Sequence, residues 1–599
     1  MAKELHIGTV IFDKKIDFVS STFMFPYSCF NSDFLKHYPL HNFTTNTIKL
    51  FDNFHERESV YNECKNLAYS YVAKFKREYE KDVVYPEIFY ILILFPYYFT
   101  VINFTFARYL YIKKFISLNM KEDFFVNTFE MHLPKKFETK KEFLTNLYTN
   151  IDLQEWLVSV ILTKLDFENV IIRRSKGKVN IYTIENIKKS FYVSLFSFFS
   201  KLENILKFHR VIFFLLASLV AFLPYSVTSF NNIYGVGAFR SLLYSAILNM
   251  RGFKKREKVK KTPDGSDSSH LKFDFPDEFV NILDEVIAYT LPNSHGVFFD
   301  KYKSQAENEN TFVRGKVRFD STGFMDDQKS FKHACSVLNG EKLVFVQHGS
   351  NYCTTANSWA ADSYEYQGDY FVNWGNVTPK KRHCEFIVMP SPSLSRLKDK
   401  HKCQNQSLVL VGTNQRQTMD GICIADPAYC WDYLRSKENF ISGLSQNVLS
   451  SLLYRPWLSQ DTEYFNDEKY MRSLFPDLKI LTGNLTKEIL KTRLLVLDHY
   501  GTAFYEAMAA NTPVMIYFGY PECAFTQQAQ EMFEEFKKAG IFYDDAESAA
   551  KAINVLWDDV EEWWFSENVQ NARKKFNYLF ALTDRNWNWQ WIKLLFKIS

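Results

Sequence analysis

In the C-terminal half of the chain, short unbroken apolar runs alternate with stretches whose apolar residues recur at helical spacing. The runs are Leu343–Val346, Leu408–Val411, Leu494–Leu497 and Val514–Phe518, with a further strand expected over Tyr370–Trp374, and loop residues bound each one. Strands read this way when both faces are buried, as they are in a parallel sheet covered by helices. The pattern therefore predicts βαβ units. The clearest lies between Arg493 and Phe518: a strand, the turn Asp498-His499-Tyr500-Gly501-Thr502, a helix through AFYEAMAA closed by Asn511, then Thr512-Pro513 before the next strand. About twenty-five residues is close to the minimum for a right-handed crossover.

The first 250 residues differ, being aromatic and helix-patterned with few glycines. Two apolar stretches there have a bearing on membranes. Ile88–Phe106 is about as long as a span requires but carries Pro96, Thr100 and Asn103, whereas Val211–Leu223 is too short to span comfortably. Buried core helices are the expected reading of both, with peripheral contact at the inner membrane face as the alternative. A basic run followed by Pro, Gly, Ser and Asp, from Asn249 to His270, predicts a linker or exposed loop at 251–271.

Composition narrows the function classes. Across 599 residues, 72 basic and 68 acidic side chains leave a formal charge of only +4, which argues against nucleic acid as a partner. The nine cysteines are scattered singly, and MAKELHIGTVIFDKK lacks the apolar core of a secretory signal. Together these predict reduced thiols in a cytosol, with neither a zinc ribbon nor a redox pair. No phosphate loop, HExxH, kinase signature or GxSxG elbow occurs, and no obvious strand-end DxD appears, so no metal site and no cofactor are expected.

The candidate chemistry gathers where strands end. Ligands of parallel sheets bind outside the carboxyl ends of strands, against helix N-termini. Gly501 and Thr502 stand at such a place with Asp498 and His499 in the same turn, and Glu506 lies one helical turn further on, in reach of a sugar hydroxyl. Gly412 and Thr413 end the Leu408–Val411 run, and Arg455 ends another before Pro456. A guanidinium suits phosphate because its planar fork bonds two oxygens at once. Upstream, QHGSNY puts His348 and Gly349 at the end of a buried strand, with Gln347 and Asn351 as polar neighbours. An imidazole there suits either proton transfer or ligand binding. Glu365 and Asp369, ahead of Tyr370–Trp374, read equally as a general base or as loop caps. Asp326-Asp327 reads as a helix start, and Trp563-Trp564 with the C-terminal tryptophans as packing.

DHYGTAFYEAMAANTPVMIYF, AGIFYDDAESAAKAINVLWDDVEEWW and QHGSNYCTTANSW resemble surface-polysaccharide (O-antigen) biosynthesis transferases, a group of GT-B glycosyltransferase character. Ser350-Asn351 departs from that pattern, where a second glycine is expected. The resemblance implies an α/β, GT-B-like fold in which two Rossmann-like domains face a cleft, with a large helical N-terminal elaboration. On this division, residues 1–250 join the acceptor side and 272–400 form the acceptor-side domain. Residues 401–560 bind the nucleotide-sugar, and 561–599 cross back as helices. It further implies that Gly412, Thr413, Arg455, Asp498, His499, Gly501, Thr502 and Glu506 hold the donor. Gln347, Gly349 and Asn351 would line the substrate side, and His348 with Glu365 or Asp369 would move the proton. The donor would be a UDP-sugar or a CMP-linked sugar acid. The acceptor would be a glycan or lipid-linked glycan, met in the cytosol or at the inner face of the inner membrane. Transfer of a polyol phosphate, or a non-catalytic scaffold in a membrane assembly complex, are the rival readings.

Overall fold

The computed structural model describes residues 2–7, 21–25, 48–80 except 49 and 52, 84–182 except 175, seven positions between 233 and 244, and 275–598 except 310–316, 322, 379–383, 414–420, 423–428, 458–464 and 520–524. The Val211–Leu223 stretch and the 251–271 linker lie outside the described residues. Within them the strands form three sheets, and every strand pairing in those sheets is parallel.

The first sheet joins β1 (Lys3–His6), β2 (Ser21–Phe23), β3 (Phe124–Asn127) and β4 (Val170–Arg173) in the order β2-β1-β3-β4. The N-terminal region, expected to be helical, therefore also carries a parallel sheet. Strands of three or four residues give too short a run for periodicity to register. Around the sheet pack α1 (Phe54–Tyr79), α2 (Glu87–Leu118), α3 (Lys140–Thr149) and α4 (Ile151–Leu165). α2 is the apolar stretch of membrane-spanning length, and 89% of its most apolar window is buried within the fold. A helix apolar on all sides needs such a covering.

The second sheet runs in simple order through β5 (Val317–Asp320), β6 (Lys342–Val346), β7 (Tyr370–Asn373) and β8 (Glu385–Val388). Between its first two strands lies α5 (Asp327–Leu338), and Asp326 caps it by accepting from Lys329 N at 3.0 Å. Asp327 is buried and clamps this unit to the N-terminal one. It accepts from Lys140 N and Lys141 N, both at 3.1 Å, and from Ser294 Oγ at 2.7 Å. Burial alone would raise its carboxyl, but His295, 3.5 Å away, and the Lys140 charge outweigh that and hold it at about 2. The acidic pair is thus structural, as the helix-start reading has it.

The third sheet orders β9 (Leu408–Val411), β10 (Leu452–Arg455), β11 (Leu494–Leu497), β12 (Val514–Tyr517) and β13 (Phe542–Tyr543) as β10-β9-β11-β12-β13. α6 (Tyr429–Ser442) follows β9, and α7 (Thr502–Ala510) joins β11 to β12. Asn511 ends α7 in the left-handed region at φ 64°, a conformation asparagine tolerates better than most residues. The last helix, α8 (Trp587–Ile598), returns to the second sheet. Trp587, Trp591, Leu594 and Leu595 pack there on Val317, Phe319, Val344, Val346 and Val372. Trp564 is likewise enclosed, donating from Nε1 to Asn511 Oδ1 at 2.9 Å, and Trp563 donates to Ala539 O at 3.0 Å.

Trp591 is fully buried and its Nε1 donates to Pro390 O at 3.0 Å. Trp591→Ala should cost about 3–5 kcal/mol through the cavity it leaves. The check is a fall in the urea midpoint at unchanged slope. A loss below about 1 kcal/mol would contradict the packing of α8 on the sheet.

Candidate functional site

Strand order in the third sheet reverses between β9 and β11, and open α/β sheets hold ligands in the crevice outside such a reversal. Gly412 and Thr413 leave β9 on one side of it, and Asp498 to Thr502 leave β11 on the other. α7 starts there with Gly501 at its N-cap and no side-chain cap, so the positive end of the helix dipole faces the crevice.

Beneath these turns lies a buried polar cluster. Lys437, on α6, donates from Nζ to Asp467 Oδ2 at 2.8 Å and to Tyr454 OH at 2.7 Å, and lies 3.7 Å from Asp498 Oδ2. Tyr454 also donates to Asp467. Tyr433 OH accepts from Thr413 N at 2.8 Å and donates to Asp498 Oδ2 at 2.9 Å. Asp498 Oδ1 in turn takes His499 Nδ1 at 2.9 Å. Asp498 and Thr413 N are therefore braces of the two turns. Gly412 is required by contact, because a Cβ there would sit 2.6 Å from Tyr454 OH and 3.2 Å from Lys437 Nζ.

Arg455 ends β10 beside Gly412, whose N–H donates to the Arg455 carbonyl at 2.9 Å. Its half-buried guanidinium donates to Leu481 O at 3.1 Å, and burial lowers its pKa. Glu506 sits on α7 one turn past Thr502 and accepts from Thr486 Oγ1 at 2.9 Å.

The second sheet contributes the loop after β6. Gln347 is buried and committed to the fold, donating to Gly349 O at 2.9 Å and accepting from Trp374 N at 2.8 Å. Asn351 and Cys353 take φ of 75° and 61°. The departure from a second glycine is thus met by asparagine in the left-handed region. This loop reaches the third sheet directly. Ser350 N donates to Thr502 Oγ1 at 3.2 Å, and a Cβ on Gly349 would lie 3.4 Å from the same oxygen. Thr526 adds two bonds, from N to Thr354 O at 2.9 Å and from Oγ1 to Cys353 O at 3.2 Å.

His348 is a third exposed, with Tyr352 OH 3.0 Å from its Nδ1 and Glu365 Oε1 3.7 Å away. Burial lowers its pKa, opposed by the carbonyls of Val346 and Ser321. Glu365 has no exposed surface and accepts from Tyr352 OH at 2.6 Å. Burial pushes its carboxyl up to about 8, helped by the charge of Asp320 and opposed by the Tyr352 hydrogen bond. Asp369 departs from the expected grouping. Its Oδ2 accepts from Leu343 N at 2.8 Å at the amino end of β7, while His348 follows the carboxyl end of β6. It caps a strand start, which corrects its reading as a partner of His348.

The fold therefore brings His348, Gly349, Glu365, Gly412, Thr413, Asp498, His499, Gly501, Thr502 and Glu506 to the carboxyl edges of two sheets that touch. Sequence reading assigned no role to Tyr352, Tyr433, Lys437, Tyr454 or Asp467. The α6 stripe Tyr429, Tyr433, Lys437, Ile441 carried a signal, since a lysine on an otherwise apolar helical face needs a buried partner. Among the described residues, no group of three or more His, Cys, Asp and Glu is placed to hold a metal ion. The exposed N–H end of α7, a hydroxyl and an imidazole suit an anionic ligand next to a group that accepts protons.

Glu365 also makes stability depend on pH. Its folded pKa of about 8 lies above its ordinary value of 4.5, so the folded chain holds a proton that the unfolded chain releases between those values. The contribution is full below 4.5 and is lost as pH rises through about 8. Glu365→Gln, neutral throughout, should therefore gain in melting temperature relative to wild type as pH rises across that window. An offset independent of pH would show that Glu365 is already ionised.

Among solved structures, a mutant O-GlcNAc transferase from Thermobaculum terrenum aligns at 13% identity and a TM-score of 0.28, over 53% of this chain and 59% of that chain. The alignment thus spans under two thirds of that protein. No curated protein matches the sequence. A model of the LIC12162 family transferases matches residues 29–595. That match covers nearly the whole chain, and the protein belongs to the LIC12162 family of transferases.

Proposed function

We propose that this transferase is a glycosyltransferase of GT-B type. It would use a UDP-sugar or a CMP-linked sugar acid and act on a glycan or lipid-linked glycan in surface-polysaccharide assembly. The observation that carries the reading is the Ser350 N–H bond to Thr502 Oγ1, because it joins the His348 loop to the N-terminus of α7 across two sheets. A nucleotide's phosphates at the β9–β11 reversal would lie against that helix end, and an acceptor would approach from the His348 side. Thr502 Oγ1 accepts from Ser350, which leaves its own proton free to donate to a phosphate oxygen.

On this reading the residues divide the work. Helix N–H groups and Thr502 take the charge that grows on the leaving phosphate, with Arg455 at the rim of the crevice. Glu506 holds a sugar hydroxyl. His348 takes the acceptor's proton, and its lowered pKa keeps the ring unprotonated near neutrality. Gln347 and Asn351 shape the loop that carries it, and Ser350 ties that loop to Thr502 beside Gly349.

The test is a nucleotide-induced thermal shift with UDP, CMP, GDP and CDP. A nucleotide at about 100 times its dissociation constant stabilises the folded state by about 2.7 kcal/mol. UDP or CMP should raise the melting temperature, Thr502→Ala and Glu506→Ala should shrink the rise, and His348→Ala should keep it while losing turnover. No rise with any of the four would overturn the reading, and a rise with CDP alone would move it to polyol-phosphate transfer.

A further inference from the structure

We propose that Tyr352 is a positioning residue that couples the ionisation of Glu365 to the proton affinity of His348. The inference rests on the reading above for the place of His348 at a transfer site. The coupling itself follows from three side chains. Tyr352 is 6% exposed, its hydroxyl lies 2.6 Å from Glu365 Oε2, and the same oxygen lies 3.0 Å from His348 Nδ1 and 3.3 Å from Nε2. Glu365 has no exposed surface, so it reaches substrate only through Tyr352 or His348. Its Oε1 is buried without a hydrogen-bond partner among the described residues, a site that suits a neutral carboxyl better than a carboxylate.

A tyrosine hydroxyl has one proton to give, so its two neighbours compete for it. With Glu365 protonated, the carboxyl O–H donates to the Tyr352 oxygen and the Tyr352 O–H donates to an imidazole lone pair. That lone pair is then masked. When Glu365 loses its proton to solvent, the Tyr352 O–H turns to the carboxylate and its oxygen becomes an acceptor facing the ring. The imidazole can then take a proton from an acceptor hydroxyl, and the resulting cation faces both the tyrosine oxygen and the Glu365 carboxylate 3.7 Å away. One proton leaves the carboxyl, one arrives on the ring, and Tyr352 keeps its own.

The surroundings favour a neutral Glu365 at rest. Asp320, at the end of β5, repels a second negative charge, and that aspartate is itself held by Lys329 Nζ at 3.0 Å and His333 Nε2 at 3.3 Å. Tyr366 and Cys353 face Tyr352, and both oppose its ionisation. Val346 and Ser321 present carbonyls to the His348 ring. Tyr364 OH lies 2.7 Å from His333 Nδ1, so the second histidine is occupied with Asp320 and Tyr364. Glu365 is left as the group whose charge His348 senses through Tyr352.

Carbethoxylation of His348 by diethyl pyrocarbonate measures the availability of its lone pair without a substrate. The full-length chain is treated from mildly acidic to mildly alkaline pH, so that both titrations are covered, and the His348 peptide is followed by mass spectrometry against N-acetylhistidine in the same solution. The wild type should show a second rise in rate near pH 8, of about 3- to 10-fold, as the Tyr352 O–H leaves the ring. Tyr352→Phe should lose that rise and react at the higher rate throughout. Glu365→Gln should also lose it, with the Tyr352 hydroxyl still present, and carries the test alone if Tyr352→Phe fails to fold. A wild-type profile with a single inflection, or a second rise that persists in both variants, overturns the proposal. The nucleotide-induced shift of Tyr352→Phe is read alongside it, so a failed coupling and a failed donor site give different results.

Discussion

The hydrogen bond from Ser350 N–H to Thr502 Oγ1 spans 152 residues and joins two parallel sheets at their carboxyl edges. It brings the loop close enough that a Cβ on Gly349 would meet the same hydroxyl in ordinary van der Waals contact. It requires a turn that Asn351 can make at positive φ. It also requires a helix start with nothing capping it, and Gly501 leaves α7 open. Thr526 reinforces the link through its bonds to Thr354 O and Cys353 O. Together they set the His348 loop beside the open end of α7.

Two buried networks hold the edges still. Under the third sheet, Lys437 is shared among Asp467, Tyr454 and Asp498, and Tyr433 ties Asp498 to Thr413. Buried charge is costly unless paired, and removing one partner costs more than the pair contributes. Such a cluster specifies the geometry of the turns above it more than it stabilises the fold. Under the second sheet, Glu365 is the counterpart, a fully buried carboxyl beside Tyr352 and His348. It accepts one hydrogen bond, from Tyr352, and burial pushes its carboxyl up to about 8.

Much of this could be read from the sequence. Leu343–Val346, Leu408–Val411 and Leu494–Leu497 form strands as their apolar runs predict, and the unit from Arg493 to Phe518 folds as strand, turn, helix and strand, closed by Asn511. The glycine-bearing turns fall at the strand ends because parallel sheets put them there. Other features left no periodic trace. β1 and β2 are too short to show against the helical pattern around them. Asp369 looked like a partner of His348 because it is near in sequence, yet an extended strand carries the two to opposite ends of the sheet. Tyr352 was visible four residues after His348, but only the fold sets its hydroxyl between the imidazole and Glu365. α2 has the length and composition of a membrane span, and only its packing shows that the fold covers most of it.

The central claim is that the carboxyl edges of β6, β9 and β11 form a single ligand site. Hydrogen–deuterium exchange with and without saturating UDP or CMP tests it most directly. The account predicts that peptides covering residues 347–352 and 498–506 gain protection together, because one ligand would cover the α7 N-terminus and tighten the Ser350–Thr502 contact. Protection confined to one of these peptides, or appearing only at the first sheet, would contradict it.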